Sequence, residues 1–130
     1  MLLIAAPGQL TLCALWFCSM ATDIKESDWK LFRRLHKIAL ERFCERVLKE
    51  VQAAAAKHTD GYHDSYLKVF ALFRDRDTTI ANAFNDPRRS NAIMLLANIK
   101  HEGLLTAAEF DQFSPEARQA VDVIESVWRA

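Results

Sequence analysis

The middle of the chain carries its most regular pattern of apolar and polar positions. From Tyr66 to Phe84, large apolar or aromatic side chains recur at steps of three and four residues, with one aspartate among them. This spacing places them on one face of a helix. We therefore predict a central helix from about Ser65 to Asn85 whose inner face packs in the core. That face consists of Tyr66, Phe70, Phe73, Asp77, Ile80 and Phe84.

Asp77 is the unusual member of this face. A carboxylate among aromatic side chains is costly unless a positive group pairs with it. The nearest arginines are Arg74 and Arg76 on the same helix, and Arg88 and Arg89 just beyond it. We therefore predict a partly buried ion-pair network in which Arg74, Asp77, Arg88 and Arg89 are the candidate site residues. If so, Asp77→Leu or Arg88→Ala should cost about 3–5 kcal/mol of stability.

A longer helix is predicted before the central one, from Asp28 to about Lys57, with Ser27 as its N-cap. In its first half the apolar positions fall on two sides of the helix, which predicts more than one neighbour there. The main stripe is Trp29, Phe32, Ala39, Leu40, Phe43, Val47, Val51 and Ala54, and the second set is Leu31, Leu35 and Ile38.

The last third of the chain contains several signals for helix ends. Asp86 before Pro87 ends the central helix and should cap the next one, predicted from Arg88 to about Glu102. Gly103 then fits a C-terminal cap. Thr106 to Glu109 forms a capping box, and Ser114 before Pro115 begins the last helix. The stripe of that helix is Ala117, Ala120, Val121, Ile124, Val127 and Trp128.

These elements predict an all-α fold, a small single-domain helical bundle over residues 23–130 with three longer helices and two short C-terminal ones. Residues 1–22 form a separate apolar segment with no charged side chain. Three interpretations compete for this segment: a misassigned start that should lie at Met20, a secretory signal, or a membrane anchor. We expect a cytoplasmic protein, with a secreted or membrane-anchored one as the alternative.

Composition narrows the classes of function. The 130-residue chain is 51% hydrophobic and balances 17 basic against 17 acidic residues, which disfavours a dedicated nucleic-acid-binding protein without excluding one. Its three cysteines do not form a disulfide framework, and its three glycines cannot build a phosphate-binding loop. We expect no cofactor, no metal site and no catalytic residue.

Histidines offer the remaining candidates for chemistry. His36 falls within the apolar stripe of the first long helix, where it is either a core histidine or a ligand or general base. The segment HTDGYHDS at 58–65 holds His58, Asp60, His63 and Asp64, whose spacing matches no known metal geometry. We interpret this segment as a solvated turn.

Three stretches resemble small bacterial all-helical proteins that have no known activity. They are DWKLFRRLHKIALERF at 28–43, RDRDTTIANAFNDPRRSNA at 74–92 and GLLTAAEFDQFSPEAR at 103–118. The resemblance covers most of the chain after Met20, and it implies a helical fold but no function. GLLTAAEF also looks like a turn found in small bacterial oligomerisation modules, a similarity that capping chemistry alone explains.

The expected function is that of a non-enzymatic helical module that binds a protein partner or a second copy of itself. This expectation rests on the two-sided apolar pattern between Trp29 and Ile38 and on Trp128 near the chain end. The alternative is an anion- or nucleic-acid-binding protein that uses a cluster of arginines, namely Arg74, Arg76, Arg88 and Arg89. Arginines in the first turn of a helix favour anions.

A membrane partner is expected only if residues 1–20 are an anchor.

Overall fold

A computed structural model describes residues 24–130, and within this range the fold is all-α. The interpretations of residues 1–22 fall outside it. The described part contains five helices: α1 (Glu26–Ala56), α2 (Tyr62–Phe84), α3 (Ala92–His101), α4 (Ala107–Asp111) and α5 (Pro115–Arg129). The prediction of a small all-α protein is thus confirmed, although α5 is longer than α3. None of the described helices is long and apolar enough to cross a membrane.

The core lies where the first part of α1, the end of α2 and the helices α3 and α5 meet. On α1 the buried apolar residues end at Val47, and on α2 they begin only at Ala83. We call the part of the fold that surrounds this core the body. Because α3 is buried on most of its circumference, it forms the centre of the body and packs against α1, α2 and α5. The largest fully buried side chains are Phe32, Phe43, Leu96, Ile99, Leu104, Phe113 and Val121.

The predicted signals at the later helix ends are confirmed. At α4, the Glu109 N–H donates to Thr106 Oγ1 and the Thr106 N–H donates back to Glu109 Oε1, at 3.1 and 2.8 Å. Ser114 caps α5 by accepting a hydrogen bond from the Ala117 N–H. Gly103 has a φ of 71°, the left-handed conformation that a helix C-terminus favours in glycine.

All three earlier helix starts differ from the prediction, and α2 begins at Tyr62 and not at about Ser65. α1 begins at Glu26, and Ser27 therefore lies inside the helix. Asp86 does not cap α3, because it adopts a left-handed conformation with a φ of 50°. A 3₁₀ turn over Arg89–Asn91 comes first, and α3 starts only at Ala92. Local signals placed this turn correctly but could not fix its geometry.

A buried carboxylate joins the two ends of the described chain. Asp28 in the first turn of α1 is only 4% exposed. It accepts hydrogen bonds from the Ser114 N–H at 2.9 Å and from the Ser114 hydroxyl at 2.6 Å. The negative charge thereby lies at the N-terminus of α5, where the helix dipole favours it. Asp28 therefore fixes α5 against the start of α1.

A second carboxylate, Glu109, fixes α4 against α1. Arg42 donates to both Glu109 oxygens, at 2.7 and 3.1 Å, and to the Leu104 carbonyl oxygen at 2.8 Å. These hydrogen bonds, with a further one from the Thr106 N–H, lower the pKa of Glu109 from 4.5 to about 2. Glu109 thus stays ionised in the folded protein at a pH where it would be protonated in the unfolded chain.

This lowered pKa predicts acid sensitivity. Stability from Glu109 should be fully present above pH 4.5 and be lost as the pH falls towards 2. Because Arg42 is partly solvated, we expect Glu109→Gln to cost only about 1–2 kcal/mol at neutral pH. Urea unfolding at a series of pH values should show a shallower acid decline in the variant. Equal declines in both proteins would contradict this role for Glu109.

The two longest helices extend beyond the body as an antiparallel pair, which we call the arm (residues 48–76). Arg46 donates to the carbonyl oxygen of Glu102 at 2.9 Å, which marks where α3 ends beside α1. Beyond that point, Ser65 is the arm's single buried residue, and its hydroxyl donates to the Lys57 carbonyl oxygen at 2.5 Å. The α2 half of the arm alone is about 22 Å long.

Candidate protein interaction surface

The aromatic face of α2 is exposed along the arm. Tyr62, Tyr66, Phe70 and Phe73 are 78%, 67%, 56% and 45% exposed, and we call these four residues the aromatic stripe. Further along the same face Phe84 is only 5% exposed, because it packs in the body. The prediction that this whole face lies in the core is therefore wrong for Tyr66, Phe70 and Phe73. Helical spacing defines a face, but it does not say whether another element covers it.

Asp77 and the arginines do not form a buried network, so that prediction is also wrong. Asp77 is exposed, and it makes no ion pair with any of residues 24–130. Arg74 lies over the Phe70 ring, 5.9 Å from its centroid. Arg88 pairs at 2.5 Å with Asp86, and Arg89 pairs with Glu26 on α1. The cluster is spread over the surface because the chain turns away from α2 at Asp86.

Three of the four arginines that were proposed to bind an anion already form ion pairs with carboxylates. Arg76 lies 2.9 Å from Glu50 and 2.6 Å from Asp75, while Arg88 and Arg89 have the carboxylate partners named above. Arg88 and Arg89 also precede α3, which starts at Ala92, so they do not lie in its first turn. They therefore lack the first-turn position at which the N–H groups of a helix attract an anion.

These placements reverse the stability prediction for the cluster. Asp77→Leu and Arg88→Ala should each change the free energy of unfolding of the monomer by less than about 1 kcal/mol, because Asp77 is exposed without an ion pair among residues 24–130 and the exposed Arg88 pair contributes little. Chemical denaturation at low protein concentration would measure this. A loss of about 3 kcal/mol or more in either variant would show that the residue is buried in solution.

His36 and the turn near His58 lie far apart. The His36 ring packs between Phe32 and Phe84, with centroids 5.4 and 5.2 Å away. Burial lowers the pKa of His36, and a hydrogen bond with the Phe84 backbone partly offsets this. His58 is exposed just beyond the end of α1, about 30 Å from His36 along the helix axis. Among residues 24–130 no group of three His, Cys, Asp or Glu side chains is placed to hold a metal ion.

Charged groups border the aromatic stripe on α2. The pairs of Lys68 with Asp64 at 2.8 Å and with Asp60 at 3.7 Å do not belong to this border, because Lys68 lies on the side of α2 that lines a groove with Ala54 and Lys57. Arg74 covers part of the Phe70 ring, and Asp77 follows Phe73 on the face of the stripe. The surface thus has an apolar centre and a charged border, which is the usual anatomy of a protein–protein interface.

The sequence suggested a different interaction surface, which combined the second apolar set of α1 with Trp128 at the chain end. Of the second apolar set on α1, Leu35 is buried and Leu31 is half-buried, while Ile38 is 38% exposed. At the chain end, Val127 and Trp128 are 67% and 42% exposed. These are scattered residues, whereas the four rings of the stripe are consecutive on one face.

Sequence reasoning missed Tyr62 because it started the central helix at Ser65. The signal was available, since Tyr62 precedes Tyr66 by one helical step of four residues. Sequence reasoning also gave Asp28 no role beyond the first position of its own helix. Its partner, Ser114, lies 86 residues away, and no local pattern reveals such a contact.

Comparisons with protein-family models, with curated proteins and with solved structures give no match to this chain. The resemblance to small bacterial helical proteins therefore stays an expectation.

Proposed function

We propose that this protein is a helical interaction module that binds a protein partner through the aromatic stripe of α2. The observation that carries this proposal is the exposure of four consecutive rings on one helical face, from 45% to 78%. At about 200 Å² for each aromatic side chain, they leave about 500 Å² of ring surface uncovered. A patch of this size is comparable to the largest apolar patch on a typical monomer, about 300–600 Å², and such patches are often functional.

The chemistry of the stripe also favours a protein ligand. Tyrosine and phenylalanine bury a large area with few rotatable bonds, and tyrosine adds a hydroxyl that can remain hydrogen-bonded. Such side chains are enriched in the centres of protein interfaces. The arm presents them on a regular helix, so a partner helix packing alongside would contact all four rings in succession. An anion- or nucleic-acid-binding function gains no comparable support, because Arg76, Arg88 and Arg89 already have carboxylate partners.

A photo-cross-linking amino acid at position 66 tests this proposal in the protein's own host. The full chain should form a covalent adduct with another protein chain under illumination. Phe73→Glu should abolish the adduct, because it places a charge in the middle of the contact. Val127→Glu is the matched control, since Val127 is as exposed as Tyr66 but lies on α5. An adduct that is insensitive to Phe73→Glu, or no adduct at all, would refute the proposal.

A further inference from the structure

The residues of the stripe are arranged almost symmetrically about a point between Val69 and Phe70. Tyr62 lies as far before this point as Asp77 lies after it, and Tyr66 and Phe73 are matched in the same way. A face with this property can pack against a copy of itself turned end to end. Such packing is the arrangement that a two-fold dimer axis requires.

We propose that the partner bound by the stripe is a second copy of this chain, with the two α2 helices antiparallel and the two-fold axis near Phe70. This inference rests on the proposed function. In the dimer, Phe70 packs against Phe70 of the other copy, and Tyr66 packs against Phe73. At each end of the contact, Tyr62 of one copy meets Asp77 of the other.

The position of Asp77 favours this orientation. Asp77 lies on the interacting face, is exposed, and makes no ion pair within residues 24–130. A carboxylate that becomes buried needs a donor, and the phenolic hydroxyl of Tyr62 supplies one. A parallel dimer would instead place the two Asp77 carboxylates side by side, where they repel each other. The antiparallel pairing brings the Tyr62 hydroxyl of the other copy to each carboxylate.

The area of the face also fits a second copy. A stable protein–protein interface buries about 800 Å² on each partner, and the four rings supply about 500 Å² of it. The remainder can come from the flanking side chains of α2, which include His63, Leu67, Arg74 and Asp77. Leu67 is itself 49% exposed.

Residues 1–22 are the competing occupant, because they are apolar and belong to the same chain. They contain hydroxyl and N–H donors, for example Thr11, Trp16 and Ser19, so either occupant could supply a donor to Asp77. What distinguishes a second copy is the near-symmetric spacing of Tyr62, Tyr66, Phe73 and Asp77, which matches the same face turned end to end. This spacing favours self-association over coverage by the N-terminal segment.

Sedimentation of the purified full chain over a wide concentration range tests the dimer. We expect a reversible monomer–dimer equilibrium. Phe70→Glu should raise the dimer dissociation constant at least about thirtyfold, the size of effect expected at an interface hot spot. Val127→Glu should leave the constant unchanged, and circular dichroism should show that both variants remain folded. A chain that stays monomeric at every concentration would overturn the inference.

Photo-cross-linking from position 66, in an equal mixture of isotopically light and heavy chains, tests the register. The antiparallel dimer predicts mixed-isotope adducts between residue 66 of one chain and peptides around Phe73 of the other. Mixed-isotope adducts from residue 66 to residue 66 would indicate a parallel dimer and overturn the inference. Adducts within one chain to residues 1–23 would refute both the inference and the proposed function. A monomeric chain that still cross-links a different protein in cells, and does so only with Phe73 intact, would refute self-association alone.

Discussion

Replacing Phe43 with alanine should lower the free energy of unfolding by about 3–5 kcal/mol, because the substitution leaves a ring-sized cavity in the core. Phe43 is 2% exposed, and its ring centroid lies 6.1 Å from that of Phe84. Phe43 therefore packs α1 against the end of α2, in the part of the body that adjoins the arm. Denaturation with urea or guanidinium, followed by circular dichroism, would measure the loss.

Phe70→Ala is the matched control for this prediction. Both residues are phenylalanines on apolar helical faces, but Phe70 is 56% exposed. At a concentration where the chain is monomeric, its removal should change stability by less than about 1 kcal/mol, because little buried area is lost. If the two variants lost the same stability, the stripe would be part of the monomer's core. That result would contradict the proposed function as well.

Asp28→Ala should cost about 3 kcal/mol. The substitution removes a charged acceptor, so the part-buried N–H and hydroxyl of Ser114 lose their hydrogen-bond partner. The exposed acid Glu26, in the same turn of α1, provides the control. Its pair with Arg89 lies on the surface, so Glu26→Ala should cost less than about 1 kcal/mol. Thermal and chemical unfolding of the two variants would separate these effects.

A double-mutant cycle with Ser114→Ala distinguishes the Asp28 contact from a general loss of packing. Ser114 uses its hydroxyl both to donate to Asp28 and to accept from the Ala117 N–H. If the contact carries the stability, the double variant should lose clearly less than the sum of the two single losses. Strict additivity would show that Asp28 acts independently of the Ser114 hydroxyl, since the Ser114 N–H is retained in the variant.

Local chemistry made much of the fold predictable. The capping box at Thr106 and Glu109, the serine cap at Ser114 and the glycine end at Gly103 involve residues only a few positions apart, and all three occur as predicted. The stripe of α5 is buried from Ala117 to Ile124 and exposed beyond it, at Val127 and Trp128. Short-range hydrogen bonds and helical periodicity are sufficient for such features.

The candidate site could not be predicted from the periodicity of apolar residues alone, because periodicity does not show which part of a helical face is buried. The same periodicity that correctly assigned Phe84 to the core wrongly assigned Phe70 and Phe73. The difference between these rings is how far the body of the molecule extends along α2, which is a tertiary property. The exposed Asp77 has the same origin, since a carboxylate in an aromatic row indicates either a buried ion pair or a face that is not buried within the monomer.

The arm also determines how the protein responds to a bound partner. With Ser65 as its single buried residue, the arm has little core of its own, so it should open at a lower free-energy cost than the body. A partner on the aromatic stripe would add its binding free energy to the closed arm and leave α3 and α5 unaffected. Slower amide hydrogen exchange confined to the arm, on both α1 and α2, would then report occupancy of the stripe. The weakest part of the fold would thus be the part most strengthened by association.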